Sequence, residues 1–132
     1  MFPIITDLDA ARIRDLGSRL RGASGLGRLM DMVDTQAEIV PRDGIDENIV
    51  TVNSVVSYRD ELTASVHQVA IVYPDDADIA KGRISVLSPV GAALLGRAAG
   101  ARTAFDAPDG TRRVLHVLRL HYQPEAWGHL GV

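Results

Sequence analysis

Carboxylates crowd together after Tyr73-Pro74, where Asp75, Asp76 and Asp78 follow in close succession. Calcium and magnesium prefer hard oxygen ligands, so holding such a cation is the chemistry this cluster could do. The spacing does not fit an EF-hand loop, and Pro followed by Asp is turn chemistry, so the segment reads as a solvated turn. His67, His116, His121 and His129 are the only histidines. On one strand, the step from His116 to His121 puts them on opposite faces, where they cannot easily share a metal. Structural or surface roles are read for the set, with His129 near the tail able to contact a partner. Ser88 invites the idea of a nucleophile, but no His-Asp arrangement can be drawn around it and no strained elbow pattern flanks it. Followed by Pro89, it reads as a helix cap instead. Gly91, Gly96 and Gly100 lack the Lys-Ser/Thr and the spacing of a phosphate-binding loop. With no cysteine in the chain, disulfides, thiolate zinc sites and cysteine nucleophiles drop out. No catalytic residue, metal or cofactor is expected.

The remaining chemistry is basic and aromatic. Lys81 is the one lysine among 14 basic residues, the rest being Arg. Arginine suits carboxylate pairing across an interface, but genomic base composition explains the same bias and is preferred. The formal net charge is −3 and the basic residues are spread along the chain. That pattern lacks the footprint of a phosphate-binding surface and argues against direct nucleic-acid binding. Trp127 either packs the tail onto the body or anchors a partner, and packing is preferred.

These side chains need elements to position them. Thr6-Asp7-Leu8-Asp9 is a helix start, with Thr6 as N-cap and acids at the positive helix end. Ala10, Ile13, Leu16 and Leu20 then form one apolar stripe, ending near Gly22. Gly22-Ala23-Ser24-Gly25 is a turn, after which Leu26, Leu29, Met30, Val33, Ala37 and Val40 resume the spacing until Pro41-Arg42-Asp43-Gly44 stops it. Residues 1–44 are thus expected to form a short antiparallel helical hairpin. The Gly-rich turn favours closure within one chain over pairing between chains, so a monomer is expected. From Ile49 the hydrophobic period changes to about 2. Strands are predicted over 49–58, 66–73, 84–87, 102–105 and 114–122, making one antiparallel sheet in a module of residues 45–132. One short helix begins at Ser88 and ends at Gly96, covering a face of that sheet. Asp109-Gly110 turns the last two strands into a hairpin. The class is α+β, and there is no internal repeat.

The chain has 132 residues, 46% of them hydrophobic and 23% charged, which is ordinary globular composition with enough apolar side chain for one core. The amino terminus lacks the basic start and apolar stretch of a signal peptide, and no apolar run approaches the roughly 20 residues needed to span a bilayer. A cytoplasmic protein that is not membrane-bound is expected.

Residues 84–96, Ile-Ser-Val-Leu-Ser-Pro-Val-Gly-Ala-Ala-Leu-Leu-Gly, resemble the carboxy-terminal domain of the GreA/GreB transcript-elongation factors. Thr6-Asp7-Leu8-Asp9, Val50-Thr51-Val52-Asn53-Ser54, Val72-Tyr73-Pro74 and Tyr122-Gln123-Pro124-Glu125-Ala126 resemble the Rnk branch of that family, named for regulation of nucleoside diphosphate kinase. Ala101 departs from the pattern, since the family commonly has Asp there. The resemblance implies an FKBP-like lobe behind a coiled-coil hairpin, and RNA polymerase as partner. It further implies docking at the rim of the polymerase secondary channel through the Ser-Pro loop, with Leu87, Ser88, Pro89 and Val90 as contact residues. In Gre factors the hairpin tip carries carboxylates to the catalytic magnesium.

Here that chemistry is missing from the residues. The tip holds Arg21, Ser24 and Arg28 and no acid, although a magnesium that activates water needs hard oxygen ligands. Each arm of about 15 residues spans about 22 Å, far shorter than in a full Gre factor. The expectation is a polymerase-binding transcription regulator that competes with Gre factors without stimulating cleavage and is not itself an enzyme. Two alternatives are kept. An FKBP-like peptidyl-prolyl isomerase is opposed by the 5% aromatic content, too low for an aromatic-lined proline pocket. Regulation of nucleoside diphosphate kinase is simplest as an indirect transcriptional effect.

Overall fold

Thr6 opens the first helix through its side chain, whose Oγ1 accepts the Asp9 N–H at 3.0 Å in the computed structural model, which describes residues 2–129. The helix α1 (Asp7–Arg19) turns Ala10, Ile13 and Leu16 inward, the stripe expected from their spacing. After a turn with Gly22 and Gly25 in the left-handed region, α2 (Leu26–Asp31) begins, with Leu26 and Leu29 buried. Gly17 of α1 lies against the Met30 side chain of α2, so the two helices pack side by side. Helices this short are marginal alone, and packing of the apolar face stabilises them.

The second apolar stripe does not continue as helix to Val40. A π-helical turn (Met32–Gln36) follows α2, and Ala37 adopts an extended backbone at φ −79°, ψ 142°. Strand β2 (Glu38–Val40) then pairs in parallel with β1 (Ile4–Thr6) ahead of α1, a two-stranded sheet that periodicity does not predict. β-Branched Ile39 and Val40 favour extended backbone, and Pro41 disfavours helical geometry in the residue before it.

The larger sheet contains β3 (Val55–Asp60), β4 (Val66–Val72), β5 (Arg83–Ser85), β6 (Arg102–Asp106) and β7 (Arg112–Tyr122), in the order β5-β4-β3-β7-β6. Two corrections to the sequence expectations follow. The sheet is mixed, because β5 runs parallel to β4. The connection between them carries two 3-10 turns, Pro74–Asp76 and Ile79–Lys81, long enough to return the chain alongside β4. The first strand starts at Val55, not at residue 49. Asn53 is left-handed at φ 72° and the Ser54 N–H closes a turn on the Thr51 carbonyl at 3.0 Å. Val50 and Val52 are nevertheless buried, so the period of 2 reported burial without a strand ladder.

Helix α3 (Pro89–Leu94) begins as expected with Ser88 as cap and Pro89 at its first position. Asp109-Gly110 makes the β6–β7 turn, with the Thr111 N–H on Asp109 Oδ1 at 3.0 Å. One connected cluster of buried side chains runs from Ile5, Ile13, Leu29 and Val33 to Val56, Ile71, Leu94 and Leu115, joining the helices to the sheet. Each such side chain stabilises the fold by about 1.5–3 kcal/mol relative to exposure. Among the described residues no helix is long and apolar enough to cross a membrane.

Candidate partner-docking face

The Ser-Pro loop is built by its own serines. Val86 is fully buried and anchors the loop to β4 through its N–H on the Val72 carbonyl at 2.8 Å. Ser85 Oγ accepts the Leu87 N–H at 3.0 Å, and the Ser85 carbonyl accepts both the Ser88 N–H at 3.0 Å and the Ser88 hydroxyl at 2.7 Å. Ser88 Oγ in turn accepts the Gly91 N–H at 3.0 Å. Only glycine fits at 91, since a Cβ there would fall 2.1 Å from the Ser85 carbonyl oxygen. Leu87, Ser88, Pro89 and Val90 are all half-buried, with Leu87 and Val90 packed on the core. The loop is therefore a stiff surface feature, and Ser88 has its hydroxyl engaged in both directions.

The turn between α1 and α2 meets this loop directly. Gly25, at φ +83°, lies so close to the Leu87 backbone that a Cβ would fall 2.1 Å from the Leu87 carbonyl oxygen. Of the three tip residues, Arg28 joins Pro89 in lining one hollow of about 440 Å³ between α2, α3 and β6. Arg97 and Arg112 line it too, over an apolar floor that includes Leu29, Met32 and Phe105. Phe105 is the only aromatic side chain in that lining, far from the aromatic cavity a proline isomerase would use. Arg21 borders a separate groove beside Ala23, Leu26 and Met30, and Ser24 is exposed.

A second constellation escaped sequence reasoning as a site. Asp9 is only 3% exposed, yet its carboxylate accepts the Val52 N–H at 3.1 Å and the Tyr73 hydroxyl at 3.1 Å. Thr51 Oγ1 donates to Glu125 Oε1 at 2.7 Å, and Ser54 Oγ lies 2.8 Å from Thr51 Oγ1 while accepting the Thr51 N–H at 2.9 Å. Gln123 Nε2 donates to the carbonyls of Asp46 and Ile49, both at 2.8 Å. Burial, with the negative charge of Glu125 adding to it, pushes the Asp9 carboxyl up to about 6 against the opposing pull of its hydrogen bonds. Burial and the neighbouring Asp9 charge raise the Tyr73 hydroxyl. The signal was present: the four short blocks that carried the branch resemblance, 6–9, 50–54, 72–74 and 122–126, all meet here.

The other candidates are dispersed. Asp75 and Asp76 occupy one 3-10 turn, while Asp78 joins Arg83 in a bridge with mutual backbone hydrogen bonds, and no group of metal-ligating residues forms among the described residues. His67 stacks on Tyr58, His121 bonds Ser57 Oγ at 2.5 Å, and His129 Nδ1 lies 2.6 Å from the Tyr122 hydroxyl. Trp127 packs edge-on against Tyr122 with ring centroids 5.5 Å apart but stays 65% exposed, on the surface and outside the core.

Residues 45–122 match the family model described as Transcription elongation factor, GreA/GreB, C-term. The Regulator of nucleoside diphosphate kinase of Escherichia coli strain K12 is 36% identical over 128 residues, 95% of this chain and 93% of that protein. Transcription elongation factor GreA of Clostridioides difficile strain 630 is 40% identical over 86 residues, covering 65% of this chain and 54% of that protein. A solved structure, the prokaryotic transcription elongation factor GreA/GreB from Nitrosomonas europaea, superposes with a TM-score of 0.73 at 34% identity, over 92% of this chain and 99% of that one. All of these are named as regulators or elongation factors rather than as enzymes.

Proposed function

The chain belongs to the GreA/GreB transcription elongation factor family, in its Rnk branch, and from that membership we propose a transcription regulator that binds RNA polymerase and carries no catalytic activity of its own. It docks at the rim of the secondary channel through Leu87, Ser88, Pro89 and Val90, competes there with Gre factors, and does not stimulate transcript cleavage. It works in the cytoplasm as a monomer, and any effect on nucleoside diphosphate kinase runs through transcription. The helical part, residues 1–44, and the lobe, residues 45–132, both supply the docking face, with Arg28 from the first and Pro89 from the second.

The observation that carries this reading is the turn between α1 and α2. No acidic residue lies between Asp15 and Asp31, and Gly25 is pressed against Leu87 beside the Ser-Pro loop. A cleavage factor must bring carboxylates to a metal held elsewhere. Here α1 has 13 residues, about 20 Å at 1.5 Å per residue, and ends at Arg19, with Arg21 and Gly22 in the turn that follows. Attachment is the task left to this geometry.

The test uses purified backtracked RNA polymerase. Added alone, the chain should leave the transcript intact; added with a GreA factor, it should suppress cleavage in a dose-dependent way, and Pro89→Ala should need more protein for the same suppression. Transcript shortening by the chain alone, or GreA-stimulated cleavage untouched at saturating chain, overturns the reading.

A further inference from the structure

Arg28, Arg97 and Arg112 reach the hollow beside Pro89 from three elements: α2, the loop after α3, and the start of β7. Two acids share its lining. Asp31 already accepts from Thr35 Oγ1 and Gln36 Nε2, both at 3.4 Å. Asp106 faces Arg112 at 3.5 Å with both side chains largely exposed, a pair that contributes little. Arg28 makes no ion pair or side-chain hydrogen bond among the described residues, so its charge is available at the hollow. Arg97 is half-buried, and desolvation lowers its pKa. A guanidinium already stripped of part of its water loses little more when an anion arrives, and gains more from it in the reduced local dielectric.

We propose that this hollow seats a carboxylate side chain of the partner protein, with Arg28, Arg97 and Arg112 closing on it while Pro89 and the apolar floor cover its neighbours. This rests on the polymerase-docking reading and names the chemistry of the partner's matching surface: an acidic residue flanked by apolar ones. Arginine provides a planar fork that matches a carboxylate, and arginine beside buried apolar surface is the usual make-up of an interface centre. Nucleic acid suits the hollow less well. Its closely spaced phosphates would meet Asp31 and Asp106 at the rim and a chain of net charge −3. A single carboxylate brings only one negative charge to the same surroundings and meets less of this repulsion. The arginine bias noted in the sequence thus has a use at this one place, whatever its genomic origin.

The test measures affinity for nucleic-acid-free core RNA polymerase across a salt series. The double variant Arg28→Ala/Arg112→Ala alters exposed side chains, so folding should persist, to be checked by circular dichroism. Its affinity should fall about tenfold or more and depend less steeply on salt. Pro89→Ala should weaken binding without changing the salt slope, and Arg119→Ala, exposed on β7 and outside the lining of the hollow, should leave both unchanged. If wild type binds but the double variant matches it within about twofold at the same slope, the carboxylate seat is wrong while docking stands. If wild type does not bind at all, the docking reading falls and the seat with it. Saturable binding of ATP or a short RNA that the double variant loses, with polymerase affinity unchanged, would reassign the hollow to a phosphate ligand and overturn the proposal.

Discussion

The carboxylate of Asp9 and the guanidinium of Arg28 belong to neighbouring helices and to opposite physical regimes. Asp9 is buried, receives two hydrogen bonds from segments far away in the chain, and ties α1 to the 51–54 turn and to Tyr73. Arg28 is exposed, makes no ion pair or side-chain hydrogen bond among the described residues, and opens onto a hollow with room for another molecule. A buried charge without partners costs several kcal/mol, and inside the fold the Asp9 carboxylate has been given two. At the surface water meets that need, and a polar group can be left for a partner. The polar network therefore speaks for how the body is held together, and the arginine hollow is proposed to speak for what the body meets.

The sharpest way to break this division is to attack the seam beneath the open region. Gly25→Ala puts a side chain on a left-handed residue and drives its Cβ into the Leu87 carbonyl. The conformational cost of about 1 kcal/mol and the forced backbone shift of about 1–3 kcal/mol together predict a loss of about 2–4 kcal/mol in urea unfolding, and a matching loss of polymerase binding. An unchanged midpoint would mean that the turn is free of the Ser-Pro loop. Next in size is Asp9→Ala, which leaves the buried Val52 N–H and the half-buried Tyr73 hydroxyl without this acceptor. A loss of about 3 kcal/mol is expected by the same measurement. A loss under about 1 kcal/mol would mean that Asp9 is not the tie holding α1 to the lobe.

Titration sharpens the same contrast. The Asp9 carboxyl protonates near pH 6 in the fold against its ordinary 3.8, so the folded state holds the proton more tightly than the unfolded chain does. Its share of the stability is therefore fully present below about pH 4 and drains away as pH rises through about 6. Asp9→Asn keeps an acceptor and cannot titrate. The stability of this variant relative to wild type should improve by roughly 1.5 kcal/mol between pH 5 and pH 7.5, read from paired urea titrations. A difference that stays flat, or that moves the other way, would place the carboxyl's proton equilibrium in the ordinary acidic range.

The two regions also differ in how far residues alone disclosed them. Thr6 and Ser88 as caps, the stripe Ala10, Ile13 and Leu16, and the Asp109-Gly110 turn depend on neighbours a few positions away, and their local chemistry made them legible. Ser88 and Pro89 as docking residues came from the family resemblance and not from local chemistry. The Asp9 network was not legible, because it joins position 9 to 52 and 73, and position 51 to 125. No local period records such pairings. The parallel β1–β2 and β4–β5 pairs failed in the same way: a strand's hydrophobic pattern states which face is buried, not which neighbour it takes or in which direction. That Arg28 would lie beside Pro89 followed from the contact of Gly25 with Leu87, which no spacing announces.

The smallest expected effect on stability is the most telling. Arg28→Ala removes a charge from an exposed position near the middle of α2, where alanine is at least as good a helix former. Nothing among the described residues loses a hydrogen bond or ion pair, so unfolding free energy should change by less than about 0.5 kcal/mol. Affinity for RNA polymerase should fall in the same protein, because the lost guanidinium is one of the three proposed to face the partner. Stability and binding would then separate completely at Arg28, whereas at Gly25 they fall together. A destabilisation beyond about 1 kcal/mol would show the guanidinium bracing the fold, and the hollow would then be part of the architecture rather than a surface held ready for a partner.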